Sequence, residues 1–519
     1  MNIKNKYISR LLVVAFAFAT LVSCSEDIMD DINKDTAHPL DASAKFILAD
    51  VITSTAFNNV GGDFSTYASV YVEHEAGVHN QLYRADQRQN EPSSASTFNN
   101  VWGNIYTTLK NAKLVVEKCS EGGSQEGNDL TRGVGEVMVA YNLALLTDMF
   151  GDAPWSEACN WEANMTPKID SQESIYAAVN TYLDNAIVHL QGKDAHGSGG
   201  FASHDLLYGG DTDKWLKFAY GLKARYTMRL LKRSANQASD LQKVIDYVGL
   251  SFQSADDQAA FSKYDASNLN PLFDFEWSRD GIGASQSMFD KLDARKDPRA
   301  RRVYFDCNSW GNLAVPEVLV PNGEGEEVQY NYNYSVFVYG QIAPTYFLSY
   351  HELLFLKAEA MCRLNQTGAD EVLKSAVVAA IQNTEVNVNA AMNAPTLLGY
   401  GGLEDISAGA ITTAEAETYF DTEVKPLFDA NPLQETMIQK YIALWGANGE
   451  STECFNDIRR LKGLNENFIV LANPKNATQF PLRCPYGNDD TTTNPAVKDA
   501  YGTGQYVYTE PVWWAGGTR

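Results

Sequence analysis

From about residue 42 onward, apolar residues recur mainly at the i, i+3, i+4 and i+7 spacing of an amphipathic helix. Between Arg132 and Phe150, the residues Val134, Val137, Met138, Tyr141, Leu145 and Met149 fall on one stripe, and Gly151-Asp152-Ala153-Pro154 ends it. Comparable stretches predict helices near 42–57, 97–118, 172–190, 213–233, 346–365, 369–391, 413–428, 433–446 and 452–462. Several pair across short polar turns, as a helical-hairpin solenoid requires, although no strict repeat consensus of roughly 34 residues is present. The expected class is mainly α: a degenerate tetratricopeptide-like superhelix.

Within the predicted helices, polar positions read as architecture. Asp211 or Thr212 can cap the next helix, leaving Trp215, Phe218 and Leu222 on its inner face. Arg225 and Arg229 repeat at i+4, which sets both guanidinium groups on one side to clamp carboxylates or carbonyls. Leu353, Leu356, Ala360 and Leu364 share a face, with Glu359 and Arg363 spaced to pair.

Two regions lack this period. Residues 250–343 are rich in Asn, Asp, Gly, Pro and aromatics, including Asn270-Pro271, Trp277, Asp297-Pro298, Trp310 and the tyrosines of 329–334. Residues 465–519 are similar. Loops this long are uncommon in a compact protein unless they carry function, so binding chemistry is expected there and in the shorter loop 77–98. The body is expected to be one helical domain, 37–519, with a loop-rich ligand-binding insertion at about 250–343.

The N-terminus has a different pattern. Lys4, Lys6 and Arg10 precede an apolar run from Leu11 to Val22, roughly 12 residues where a membrane-spanning helix needs ~20. This predicts an export signal over 1–23. Leu21-Val22-Ser23-Cys24 resembles a bacterial lipobox, making Cys24 the lipidated mature N-terminus, with diacylglycerol and an N-acyl chain; ordinary cleavage near Ser23 is the rival reading. Ser25, Glu26, Asp27, Asp30, Asp31 and Asp35 follow, a tether over 24–36 too acidic and polar to fold. It looks like the tag that sends lipoproteins to the surface of Gram-negative bacteria.

Composition narrows the function. Of 519 residues, 45% are hydrophobic and 20% charged, which fits a globular chain with a large core and excludes wholesale disorder or a polytopic membrane protein. The formal charge of -24 becomes more negative when the signal is removed, so nucleic acid is disfavoured as a partner. Tyr 27, Phe 23 and Trp 9 supply flat faces that suit sugar rings as well as cores. Apart from Cys24, the cysteines at 119, 159, 307, 362, 454 and 484 are scattered without zinc-like spacing, and buried free thiols are expected.

Catalytic signatures are missing: no GxGxxG, Walker loop, HExxH or GxSxG occurs. Ser203-His204-Asp205 are adjacent and cannot form the spatial relay of a triad. His74, His79 and His351 give no metal spacing, and Asp274-Phe-Glu276-Trp-Ser278 carries Arg279 where a calcium loop needs glycine. No cofactor or metal is expected.

Read in order, the motifs resemble the SusD/RagB family of surface lipoproteins. Trp102 and Tyr106 in Asn99-Asn-Val-Trp-Gly-Asn-Ile-Tyr106, the helix end Asp148-Met-Phe-Gly-Asp152-Ala-Pro154, and Gly210-Asp-Thr-Asp-Lys214-Trp-Leu-Lys-Phe-Ala219 with Arg225 and Arg229 carry the likeness. Asp297-Pro-Arg299, Tyr350-His-Glu352 with Phe355 to Ala360, and Gln439 to Leu444 leading to Asp457-Ile-Arg-Arg460 complete it across nearly the whole chain. Tyr220-Gly221 replaces the family's usual Asn-Ser, and Gly487 stands where a Tyr-Pro pair is common.

The resemblance implies a non-catalytic, lipid-anchored outer-membrane protein that captures an oligomeric nutrient and caps a SusC-like TonB-dependent transporter as its lid. The chain is expected to be a monomer apart from that complex. Glycan is the leading cargo and oligopeptide its rival; a surface hydrolase is the alternative from another class. Sugars are held by stacking on aromatic faces while polar side chains bond hydroxyls. The candidate contacts are therefore Tyr83, Arg84, Arg88, Phe98 and Asn99 from the first loop, and Asp274, Trp277, Arg279, Trp310, Tyr332 and Tyr334 from the insertion.

Overall fold

Capping residues set the helix starts that periodicity leaves vague. Ser171 accepts from the amide of Ser174, Asp211 from Lys214, Asn236 from Ser239, Ser349 from Glu352 and Asn431 from Gln434. The computed structural model describes residues 42–519 except 95–96, 161–162, 197–200, 404–407 and 503. The signal and the whole tether 24–36, Cys24 included, lie outside the described residues, and 44–519 form one compact unit. In chain order the helices are α1 (Ala44–Ser54), α2 (Asp63–Tyr71), α3 (Asn80–Asp86), α4 (Asn99–Cys119), α5 (Asp129–Phe150), α6 (Gln172–His189), α7 (Thr212–Arg229) and α8 (Gln237–Gly249). Then follow α9 (Pro271–Arg279), α10 (Gln286–Asp293), α11 (Tyr350–Arg363), α12 (Ala369–Met392), α13 (Pro432–Ala443) and α14 (Ser451–Gly463), with shorter turns between. The stretch predicted at 413–428 is two short helices joined by a π-helical turn at Phe420–Val424.

Neighbouring helices pack in succession: α4 on α5, α5 on α6, α7 on α8, α8 on α11, α11 on α12 and α13. The fold is mainly helical, as the periodicity implies. Helix α5 is buried along most of its length, the polar residues Glu136, Asn142, Thr147 and Asp148 included. No described helix is long and apolar enough to cross a membrane. The two glycines that depart from the family motifs sit at close approaches. A Cβ on Gly221 would come within 2.4 Å of Leu348, and one on Gly487 within 2.3 Å of the Trp102 ring.

The insertion is more ordered than a loop. It contains α9, α10 and strands of short antiparallel pairs, because Asn270 with Pro271 and then Ser285 are strong helix starts that a window of 11 or more residues overlooks. Strand β1 (Glu75–Gly77) pairs with β5 (Ile282–Ala284); β2 (Ala153–Pro154) with β3 (Ile169–Asp170); β4 (Ala259–Phe261) with β8 (Thr345–Leu348); and β6 (Tyr304–Phe305) with β7 (Tyr334–Ser335). Loop 77–98 contains α3, and the C-terminal region has helical turns at Asn476–Gln479, Asn488–Thr493 and Pro495–Ala500. All six cysteines of the body are free, with Cys119, Cys307, Cys454 and Cys484 buried and Cys159 and Cys362 half-buried.

A charged lattice lies inside the helical layers. Arg225 grips Glu352 through Nε at 2.9 Å and a second nitrogen at 2.5 Å, and Arg229 bonds Glu453 and approaches Asp148 at 3.5 Å. Arg460 holds Glu359 at 2.7 and 2.8 Å and Asp457 at 2.9 Å, while Lys440 meets Asp457 at 2.6 Å. Arg363 joins Glu359 to Glu466. These pairs tie α5, α7, α11, α13 and α14 together. Burial pushes the Asp457 carboxyl up, but Lys440, Arg460 and Arg229 outweigh it and hold Asp457 well below the usual carboxylate range.

Removing one partner of a buried pair strands the other charge, at a cost of about 3–5 kcal/mol. Arg225→Met should therefore unfold in denaturant at a clearly lower midpoint, and the double variant Arg225→Met/Glu352→Leu should recover part of the loss. A single variant with an unchanged midpoint would show that this pair does not hold α7 to α11.

A candidate ligand site on helix α9

Helix α9 is pinned at its start. Asn270 accepts from the amide of Leu272, and its Nδ2 donates to the carbonyls of Ala343 and Ala447 at 2.9 and 3.0 Å. Its other end is stapled by Glu276, whose Oε2 accepts the amides of Gly281 and Ile282, both at 3.0 Å. These are the residues leading into β5, which pairs with β1. A short helix fixed at both ends presents two faces to two cavities.

One face meets an aromatic cavity of about 380 Å³ lined by Glu276, Trp277, Asp280, Trp310, Tyr330, Tyr334 and Tyr339 among others. Trp277 stacks on Phe273 at 5.6 Å with 11° between the planes, and stands 6.5 Å from Trp310 and 5.8 Å from Tyr400. Trp310 continues the arc to Tyr339 at 6.1 Å, and Tyr339 meets Tyr334 at 5.8 Å. Trp277 is 40% exposed and Tyr400 71%, so aromatic faces are open to solvent at the mouth. Apolar faces left this bare mark binding surfaces more often than core.

The rim is held in unusual backbone conformations. Asp280, Trp310 and Tyr330 have φ of 45°, 55° and 57°, a left-handed region that bulky side chains rarely adopt. Each costs on the order of 1 kcal/mol and persists because surrounding bonds over-determine it. The Tyr330 hydroxyl donates to Asp280, and Gln329 donates to the Arg279 carbonyl at 3.0 Å, clasping the helix end. Asp306 accepts the amides of Asn308 and Ser309, which folds the turn that projects Trp310 and keeps the Asp306 carboxyl below its usual range.

The opposite face of α9 borders a polar cleft of about 410 Å³, with Asp274, Phe275 and Arg279 facing Phe57, Asn58, Asp63, Gln81 and Asn268. The Arg279 guanidinium lies 5.1 Å over the Phe275 ring. Burial pushes Asp63 up and Arg279 pulls it back. The segment 274–278, with its alternating oxygen donors, is helix and not a calcium-type loop.

The sequence candidates divide accordingly. Trp277, Trp310 and Tyr334 meet in the aromatic cavity; Asp274 and Arg279 line the polar cleft. Tyr332 turns inward against Ala76, Val78 and Val320, its hydroxyl accepting the Glu326 amide at 2.9 Å. Arg88 is 2% exposed, donating to the Ala85 carbonyl and Asn476 and stacking over Tyr71, and Phe98 packs against Phe64 and Tyr67. Asn99 accepts the Asn488 amide at 2.7 Å. Tyr83 and Arg84 lie on α3 and line neither cavity. Glu276, Asp280, Tyr330 and Tyr339 were not among the candidates. The Asn-Pro helix start would have placed Glu276 beside Trp277 on one short helix.

Ser203 bonds the His204 ring at 2.9 Å, but Asp205 turns away to accept the amides of Leu207, Tyr208 and Gly210 and the Trp215 indole. The three form no relay. Among the described residues no cluster of His, Cys, Asp and Glu could hold a metal.

A model of the SusD-like family, described as starch-binding and associating with the outer membrane, matches residues 37–486. No curated protein matches the chain. Among solved structures, a SusD/RagB family protein from Bacteroides thetaiotaomicron is 55% identical over 92% of this chain and 100% of its own, with a TM-score of 0.88. A chitin-binding protein is 21% identical over 90% of this chain and 99% of its own, at a TM-score of 0.65. A SusD homologue from Bacteroides fragilis is 18% identical over 91% and 100%, at 0.67. The last two are likenesses of fold.

Behind the cavity floor, Glu75 on β1 accepts from Ser335 and from the Trp445 indole, and burial pushes its carboxyl up to about 8 against those two bonds. Between pH 4.5 and about 8 the folded chain keeps a proton that the unfolded chain has released. That group therefore lowers stability as pH rises through the window, by up to about 1.4 kcal/mol per unit. Denaturant titrations at several pH values should show Glu75→Gln losing less stability than wild type between pH 5 and about 8. Parallel curves would mean Glu75 ionises normally.

Proposed function

The chain belongs to the SusD-like family of outer-membrane nutrient-binding proteins, which bind and do not catalyse, and on that premise we propose that it captures an oligosaccharide in the aromatic cavity beside α9. It delivers that cargo, as a lid, to a partner TonB-dependent transporter. Cys24 carries the lipid that holds it to the outer surface, with residues 24–36 as the leash.

The observation that carries the reading is the arc of Trp277, Trp310, Tyr339 and Tyr400. Its planes tilt by about 50° from one neighbour to the next, so no ring covers another fully and apolar faces stay available. A pyranose ring has an apolar face of matching size and polar edges. Stacked on Trp277, it would bring its hydroxyls toward Asp280, Asn308 and the tyrosine hydroxyls. Such a site suits a chain of sugars better than one, because the open mouth leaves neighbouring units in solvent.

Trp277→Ala removes a stacking face worth roughly 0.5–1.5 kcal/mol beyond its buried area, so affinity for the cognate oligosaccharide should fall about tenfold with little change in melting temperature. Trp215→Ala should do the reverse. That indole is fully buried and bonded to Asp205, and its loss opens a cavity costing about 3–5 kcal/mol. Calorimetry and thermal melts on both variants check the pair; a Trp277→Ala protein that melts early and binds normally contradicts the reading.

Cys24→Ala should release the protein from the outer-membrane fraction, since acyl chains contribute about 0.8 kcal/mol per buried methylene and the described helices offer no other anchor. Palmitate labelling that persists in the variant would refute lipidation at this residue.

A further inference from the structure

The aromatic cavity is bounded by one carboxyl oxygen that the fold buries and leaves without a protein partner, and by two tyrosines. Glu276 is 4% exposed, and while its Oε2 takes two backbone amides, its Oε1 has no partner. Tyr334 and Tyr339, 4% and 5% exposed, line the same cavity. Buried polar groups are nearly always paired, so an unpaired Oε1 in the wall of an aromatic cavity points to a ligand that completes it.

The two amides decide which oxygen of Glu276 can carry a proton. Oε2 is committed as an acceptor, so a proton belongs on Oε1, the atom left to meet a ligand. Among the described residues, the ionisable groups recorded against Glu276 are acidic: Asp280 at the end of its own helix, Glu75 from β1, Tyr330 and Tyr334 from the segment after residue 328, and Tyr339 from the turn Val336–Tyr339; Cys307, after β6, lines the same cavity. Arg279, the cation nearest in sequence, faces the polar cleft instead. Burial, with Asp280 adding to it and the two amides opposing, pushes the Glu276 carboxyl well above the usual range.

We infer that Glu276 sets the charge specificity of the aromatic cavity, presenting a proton from Oε1 to an uncharged acceptor oxygen of the ligand, so that the site takes neutral oligosaccharides and rejects uronic-acid or sulfated ones. The inference rests on the reading that this cavity is the capture site. An anionic sugar would leave water for a wall that holds two carboxyl groups and no cation, gaining no partner for its charge. A neutral sugar supplies acceptor oxygens to Oε1 and to the two phenols. Above the pH at which Glu276 ionises, the donor becomes a second anion in the cavity wall beside Asp280, and neutral ligands lose their partner.

The test uses the full soluble body with maltohexaose, N-acetylchitohexaose and an oligogalacturonate of equal length, together with infrared spectra of the protein alone. In the difference spectrum between wild type and Glu276→Gln, where the signal of the protonated Glu75 common to both cancels, a protonated-carboxyl band should remain at pH values at which an ordinary carboxyl is ionised. A neutral probe that binds the wild type should weaken as pH rises past the point at which that band is lost. In Glu276→Gln, whose amide donates at every pH, that decline should disappear.

An ordinary carboxylate titration for Glu276, or oligogalacturonate binding that Trp277→Ala abolishes, overturns this inference and leaves the capture site standing. Binding of any probe that ignores Trp277→Ala overturns the capture site itself. The infrared band reports on Glu276 in either case.

Discussion

The buried lattice of arginine and carboxylate pairs is the constraint on which this structure depends. A guanidinium taken out of water must find its carboxylates in the right plane, and Arg225, Arg229 and Arg460 each find two. Leu–Leu contacts tolerate a helix sliding by a fraction of a turn; a two-pronged Arg–Glu contact does not. The lattice therefore fixes the rotation and height of α5, α7, α11, α13 and α14 relative to one another. Hydrophobic packing supplies the bulk of the stabilisation, and the charges select one arrangement of it.

The site inherits that rigidity through a few polar links. Asn270 ties the start of α9 to the carbonyl of Ala447, which follows α13, and Glu276 ties its end to the strand that pairs with β1. On the far side, Asp86 accepts the amide of Gly323 and Glu73 accepts those of Ala472 and Asn473, so the first loop, the insertion and the C-terminal region are laced together. A frame so connected can sustain left-handed Trp310 and Tyr330, which an isolated loop would relax. It can also keep Oε1 of Glu276 unpaired at a cavity wall.

The helices were legible because their signal is local and repeated: each turn of α5 or α11 restates the same face. Caps such as Asp211 and the Arg225/Arg229 pair could be read for the same reason, from spacing alone. The aperiodic stretches were legible only in part. Trp277 and Trp310 reached the cavity, but nothing near Arg88 or Phe98 shows that they face inward, because that depends on Tyr71, Asn476 and Phe64, residues far away or on another element. Glu276 was hidden more deeply. Among 65 acids its distinction is the burial created by a strand pairing between residues 75–77 and 282–284, a contact that no window of sequence contains.

The central claim is that α9 and the aromatic arc beside it form the place where cargo is held. Crystals of the soluble body soaked with an oligosaccharide recovered from its own binding screen would show this most directly. The account predicts a sugar ring lying against Trp277 or Trp310, with a ring or hydroxyl oxygen at hydrogen-bond distance from Oε1 of Glu276. Sugar density seated elsewhere on the body, with the aromatic cavity empty, would contradict it.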